Sequence, residues 1–371
     1  MPILTSVSTP PTHPRATRRS RRHPRRAGRR LMPAALAVLA VAVTGCEAGG
    51  TPVPPTRSVT SAVHAPTAST PATTSAPVAS LPPAMTRGDL TAYLAFFARN
   101  GPAAMKESAA PPYRIGALDR VFTGELRETA RFKSVFYRTK GYREEGEHTI
   151  SGRGPIFALP KSRGRNAALV LLSYRSGAKG AGGPQKDLML LVQDAGKSTW
   201  RLASMTEIPY LDQLPTPTAT PSVPTRGQER AARAFVGTVV RYLERGTIPR
   251  GPKLGVAPYE WRQRIQRARI GGDYTVDVEL MDTGVTGVGP GAPITVIPVQ
   301  GGIVGVAQLV ATVTADSGWA PGGEGDTNDV YQQALGGDRT RTRDGLAITF
   351  VVPDAGEPAV IGGDLGLMLP Q

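Results

Sequence analysis

The chain holds one cysteine among 371 residues, and the residues before it define what that sulfur does. Cys46 ends an apolar run, and Val43-Thr44-Gly45-Cys46 has the small-residue pattern of a lipobox. At such a site the thiol is acylated and the chain is cut after the preceding residue, here Gly45. Two acyl chains on one sulfur give stable membrane anchoring, at about 0.8 kcal/mol per buried methylene. The thiol is consumed, so no disulfide is expected on the oxidising side of the membrane.

Other reactive side chains are sparse. Beyond Cys46 there are two histidines, His64 and His148. A serine hydrolase would have to rely on His148, and no GxSxG elbow is present. Zinc or copper sites built from His and Cys are excluded by count, so no metal is assigned. Glu144, Glu145 and Glu147 cluster before His148, and Glu324, Asp326 and Asp329 lie in a glycine-rich stretch. The second set has oxygen-donor character but lacks calcium-loop spacing, and a surface loop is the plainer reading. Paired carboxylates can hydrolyse glycans, yet nothing marks one acid as held protonated beside an ionised one. Lys161, Arg163 and Arg165 could grip an anion, and Trp319 could contact a ligand. Trp200 and Trp261 read as core or rim residues. GPIFALPKSRGRN and GPGAPITVIPVQGG lack the lysine-serine ending of a P-loop and the GxGxxG of a dinucleotide fold, and read as turns. No cofactor is expected, and no catalytic motif supports an enzyme.

The first 45 residues divide as an export signal does. Residues 1–30 carry nine arginines and no acid, and an apolar run extends from Leu31 to Val43. Thirteen residues are too few for a bilayer-spanning helix, which needs roughly 20. General secretion is favoured, and the arginine pairs leave the twin-arginine route open. The signal also corrects the charge: of 44 basic residues nine lie in it, leaving 35 against 29 acids, or +6 instead of +15. That balance and the expected compartment argue against nucleic acid. They suit anionic lipid headgroups or acidic wall polymers, or a solvated surface.

Residues 46–85 are mostly Thr, Ser, Pro and Ala and cannot bury a core. As a tether of roughly 40 residues they reach on the order of 120 Å when extended. A second Pro/Thr stretch at 214–224 divides the remainder into modules at 86–213 and 225–371. The modules read as copies. Thr86-Arg87-Gly88 matches Thr225-Arg226-Gly227, and each opens an amphipathic helix that Gly101 or Gly246 would close. Pro155–Pro160 matches Pro293–Pro298, and Gln193–Gly196 matches Pro353–Gly356. The offsets are 139, 145, 138 and 160, which places an insertion at about 316–345 in the second copy. After the first helix, a second is expected in LDRVFTGELRETARF and in YEWRQRIQRARI. Strand-like runs come next: FKSVFYR, AALVLLSYR, DLMLLVQ and STWRLASMTEI in one module, YTVDVELMD, VAQLVATVTA, LAITFVV and AVIGGDLGLML in the other. QDAG and PDAG read as hairpin turns. The expected class is α+β, each module one or two helices on a bent antiparallel sheet, with cystatin-like and NTF2-like cones as analogies in element order.

The lipobox, the Thr/Pro tether and the paired α+β modules resemble the uncharacterised lipoproteins of high-GC actinobacteria. The resemblance covers the layout of the chain and carries over one residue, Cys46. It implies an anchor on the outer face of the cytoplasmic membrane. The expected role is a non-enzymatic binding or assembly module for an envelope protein or an anionic wall or lipid component. Its rivals are a carboxylate hydrolase and a structural spacer. Cys46→Ala is expected to abolish fatty-acid labelling of the protein in cells, and labelling that persists refutes the lipobox reading.

Overall fold

A computed structural model describes residues 81–141, 149–175, 184–267, 273–315 and 341–369. Gly45, Cys46, His64, Glu144, Glu145, Glu147, His148, Trp319, Glu324, Asp326 and Asp329 lie outside them, as does most of the expected insertion. The described residues are mixed helix and antiparallel sheet: four α-helices, two short 3-10 helices and ten strands.

The TRG repeats mark helix starts because each threonine caps a helix together with a partner three residues on. Thr86 accepts from the Asp89 amide and Thr225 from that of Gln228, while Asp89 and Gln228 reach back to the cap amides. These reciprocal boxes open α1 (Arg87–Ala109) and α3 (Arg226–Arg245). Gly246 ends α3 in the left-handed conformation. Gly101 does not end α1. The helix runs on through Gly101 and Pro102 to Ala109, and the Phe97 ring packs where a side chain on Gly101 would stand. It stops before Pro111, whose ring disfavours a helical Ala110.

The expected second helices form as α2 (Gly124–Lys140) and α4 (Val256–Arg267), with a 3-10 turn at Ile115–Arg120 before α2. FKSVFYR, read as a strand, belongs to α2. Phe132, Val135 and Phe136 recur at helical spacing and pack on Leu367 and Leu369, a pattern that alternation mimics over seven residues.

The first half adds β1 (Thr149–Ser151), β2 (Ile156–Ala158), β3 (Asn166–Arg175), β4 (Gln185–Gln193) and β5 (Arg201–Glu207). The second adds β6 (Tyr274–Leu280), β7 (Ile294–Val299), β8 (Gly302–Ala315), β9 (Arg341–Pro353) and β10 (Ala359–Leu367). β2 and β7 correct the turn reading of PIFALP and PITVIP. Among the strands each pairs with one neighbour, β3 or β8, and β7 adds only single bridges at its ends, so a proline such as Pro298 is tolerated. QDAG and PDAG do join β4 to β5 and β9 to β10. β6 keeps Val278 in and Asp277 and Glu279 out, though Leu280 is exposed.

The sheet order is β1-β3-β4-β5-β10-β9-β8-β6, with β2 on β3 and β7 on β8. Both halves therefore carry the same pairings, read outward from a joint between β5 and β10. That joint is one residue pair, Glu207 with Gly363. Side chains on Gly362 and Gly363 would collide with Ile208 and the Glu207 carbonyl, and with Ala257, so this close approach requires glycine.

Alternation sorts the apolar residues into three cores. Leu90, Tyr93 and Phe97 of α1 cover Ala168, Val170, Met189 and Leu191 on one face of the first half. Phe235, Val239 and Leu243 of α3, with Trp261 of α4, cover Leu309, Ile348 and Phe350 of the second. The remaining faces meet each other. Phe157, Leu169, Leu188 and Leu190 pack with Ile297, Val304 and Val306. At about 1.5–3 kcal/mol per buried aliphatic or aromatic side chain, that shared layer welds the halves together.

Two polar contacts cross the same boundary. The hydroxyls of Thr206 and Thr349 lie 2.5 Å apart in the interior. Gln308 of β8 accepts from the Glu125 amide at 2.7 Å and so caps α2 from the other half. Gln308→Ala is expected to cost about 2 kcal/mol in a single urea transition, from an uncapped, buried amide. Two separate transitions would show that the halves unfold independently.

Candidate functional site

Beyond the Glu207–Gly363 pair, β5 and β10 separate and α2 lies across the gap. A cavity of about 430 Å³ occupies this place. Its walls are apolar: Phe97 and Met105 of α1, Phe122, Leu126, Phe132 and Phe136 at and along α2, and Leu202 and Met205 of β5. Residues 364–367 of β10 form the wall contributed by the second half. Polarity is confined to a few groups, chiefly Thr129, Lys133 and Asp364.

Local sequence explains the shape. Leu126, Thr129, Ala130, Lys133 and Phe136 recur on α2 every three or four residues, so one stripe of the helix faces the cavity. Gly366 allows β10 to press against α2, since a side chain there would meet the Thr129 methyl. A second, more polar cleft lies where α4 begins, lined by Glu207, Glu260 and Glu357 with Lys253. It is floored by the start of β10.

Three buried or half-buried carboxyl groups lie near the joint beside the apolar cavity. Asp364 lines it directly. Glu125, in the first turn of α2, is fully buried, and Asp187 of β4 is 3% exposed. Asp187 stands opposite Glu207, whose other neighbour is Gly363, so the acids cluster at the joint. Neither oxygen of Glu125, nor Oδ2 of Asp187, has a hydrogen-bond partner among the described residues.

Burial raises all three. The Glu125 carboxyl lies well above the usual range through burial first and the Asp364 charge second. Asp187 is pushed up to about 7 by burial, then by Glu207 and Asp364. Asp364 rises to about 6 through burial and the Glu207 charge, against a backbone amide at Leu365 that pulls it down. The causes are lost water and mutual repulsion.

A fourth buried acid is of a different kind. Asp344 accepts from Trp261 Nε1 at 2.8 Å and from Arg264 at 2.7 Å. Burial still raises it, opposed by Arg264 and then Trp261. It fastens α4 to β9 and lines neither the apolar cavity nor the polar cleft.

The residues singled out from sequence lie elsewhere. Lys161 and Arg163 are exposed on the β2–β3 turn. Arg165 pairs with Asp194, Nε to Oδ1 at 2.9 Å, and Asp194 also takes Arg201. Arg165 reaches the Gly291 carbonyl as well, so it binds the QDAG turn and the second half together. Trp200 and Trp261 are buried in the cores, as expected. Glu125, Asp187 and Asp364 belong to no motif that sequence reasoning picked out. Alternation could have found Asp187, which shares the face of Met189 and Leu191. Among the described residues, no three His, Cys, Asp or Glu side chains meet to hold a metal ion.

No family model matches the chain, and no match was found among curated proteins. Among the described residues no helix is long and apolar enough to cross a membrane.

Each raised carboxyl binds its proton more tightly in the folded chain than in the unfolded one. For Asp364 and Asp187 that contribution to stability is full below the ordinary carboxylate range and is lost as pH rises through about 6 and about 7. Asp187→Asn is expected to raise unfolding stability by about 1–3 kcal/mol at pH 8 and to leave it unchanged at pH 4. An equal gain at both pH values would rule out ionisation as the cause.

Proposed function

We propose that the protein is a non-enzymatic lipoprotein of the cell envelope that holds an apolar molecule in the cavity between its halves. The observation that carries this reading is the cavity's lining. Aromatic and aliphatic side chains from α1, α2 and β5 enclose a volume suited to one alkyl or isoprenoid chain, and few polar groups interrupt them. The lipobox at Cys46 and the tether through residue 85 would place this site beside a membrane, on its outer face, where such molecules are found.

Duplication followed by divergence accounts for the architecture. The two halves share element order, strand pairings and capping boxes. Each also carries a bulge between its last two strands, near Leu191 and near Val360. In this reading each half is a helix-covered bent sheet of the cystatin-like or NTF2-like kind. The cavity is a product of the joint and belongs to neither copy alone. Kinship with the actinobacterial lipoproteins rests on the lipobox, the tether and this layout.

A carboxylate hydrolase is the second reading, favoured by the mutually repelling Glu125 and Asp364. Paired-acid hydrolysis needs two carboxyls flanking the scissile bond. Glu125 has no exposed surface, and Asp364 alone of the three reaches the cavity. Binding is therefore preferred over catalysis, and over a spacer with no ligand.

The neutral probe N-phenyl-1-naphthylamine is expected to bind and to gain fluorescence. Ala130→Trp on the α2 wall and Met205→Trp on the β5 wall should each weaken it at least tenfold. Undiminished binding in both folded variants overturns the reading.

A further inference from the structure

Buried carboxylates in folded proteins are paired with cations, hydrogen-bonded or kept neutral, because an isolated charge away from water is costly. At the β5–β10 joint burial raises the acids, but Glu125 and Asp187 keep oxygens with no donor or cation beside them among the described residues. Asp344, buried in the same sheet, has an indole and a guanidinium on one oxygen. Glu125 and Asp187 have between them three oxygens without a partner, and the charges acting on them are those of other acids. The contrast within one sheet marks the second cluster as incomplete.

A ligand reaches Asp364 through the apolar cavity, since Asp364 is the acid on its wall. Resting on the cavity as the binding site, we propose that its ligand is a cationic amphiphile, an alkyl or isoprenoid chain carrying an amine, whose ammonium group pairs with Asp364. The chain fills the space among Phe97, Phe122, Phe132 and Phe136. Ammonium donors satisfy several carboxylate oxygens at once, which a hydroxyl cannot do. An anionic head at the same depth meets Asp364, with the buried Glu125 and Asp187 behind it, and is rejected. A metal ion does not substitute, since the acids do not converge as metal ligands.

The groups facing Asp364 set how binding depends on pH. α2 presents Glu125 and Lys133, β4 presents Asp187, β5 presents Glu207, and β9 places uncharged Ala347 opposite it. Lys133 lies over the Tyr137 ring. Acids outnumber Lys133 among these groups, and Asp364 and Asp187 ionise as pH rises through about 6 and about 7. Amine binding therefore strengthens over that interval, while binding of an uncharged chain does not change.

The test uses the full chain carrying Cys46→Ser, so that no acyl anchor competes for the cavity. Decylammonium, decanol and decanoate are titrated calorimetrically below their micelle concentrations, at pH 5 and pH 8. The expected result at pH 8 is decylammonium at least tenfold tighter than decanol, with decanoate weakest, and an advantage that shrinks at pH 5. Asp364→Asn should bring decylammonium to the level of decanol measured on the same variant. Decanol or decanoate binding as tightly as decylammonium at pH 8 overturns the amine assignment and leaves the apolar cavity standing. Failure of all three to bind overturns the cavity reading itself. Tight binding of Ca²⁺ or Zn²⁺ that Asp364→Asn abolishes overturns the organic cation in favour of a metal.

Discussion

The structure depends on a sheet that continues across a joint of one residue pair. Glu207 and Gly363 are the whole ladder between β5 and β10, yet eight further strands are organised from that point. Antiparallel strands normally hold each other along several pairs, and here the strands diverge at once. The divergence has to be filled, because open strand edges and apolar faces do not remain bare in a stable fold. α2 fills it from the first half, with its amino end capped by Gln308 of the second. The helix lies across the gap without closing it, and the remaining space is the cavity.

The acids owe their position to the same geometry. A close joint needs small residues, which Gly362 and Gly363 supply, and the chain then places Asp364 immediately after them. Asp187 and Glu207 lie opposite each other on adjacent strands, an arrangement that costs stability when both are ionised. Such a cost in the middle of a fold is characteristic of a functional site, where local stability is given up for a chemical property. Asp344 shows the alternative. The same protein pairs a buried carboxylate with an indole and a guanidinium where it needs only to fasten a helix.

Much of the fold was legible in the sequence, for reasons that can be named. The capping boxes at Thr86 and Thr225, the helix stripes of α1 and α3 and the turns at QDAG and PDAG are local signals, and local physics decides them. FKSVFYR failed because seven residues cannot separate a period of two from one of 3.6 when three are aromatic. PIFALP and PITVIP failed because their prolines argue against a strand except at positions with a free side, and that freedom is a property of the sheet. Gly101 failed because the Phe97 ring, not a helix end, is what uses its missing side chain. The site itself was out of reach. Glu125, Asp187 and Asp364 are far apart in sequence, and their proximity is created by a pairing that no short-range pattern encodes.

The layer shared between the halves has a consequence for how the molecule comes into being. Nine of its buried residues, from Phe157 to Ile208, belong to the first half, and five, from Ile297 to Ile361, to the second. A chain made amino-terminus first presents the first nine long before their partners arrive. Gln308 lies 183 positions beyond Glu125, so α2 emerges without its cap. The first half can form its own helix-covered core, but the layer it shares with the second is complete only once the distant partners have been made.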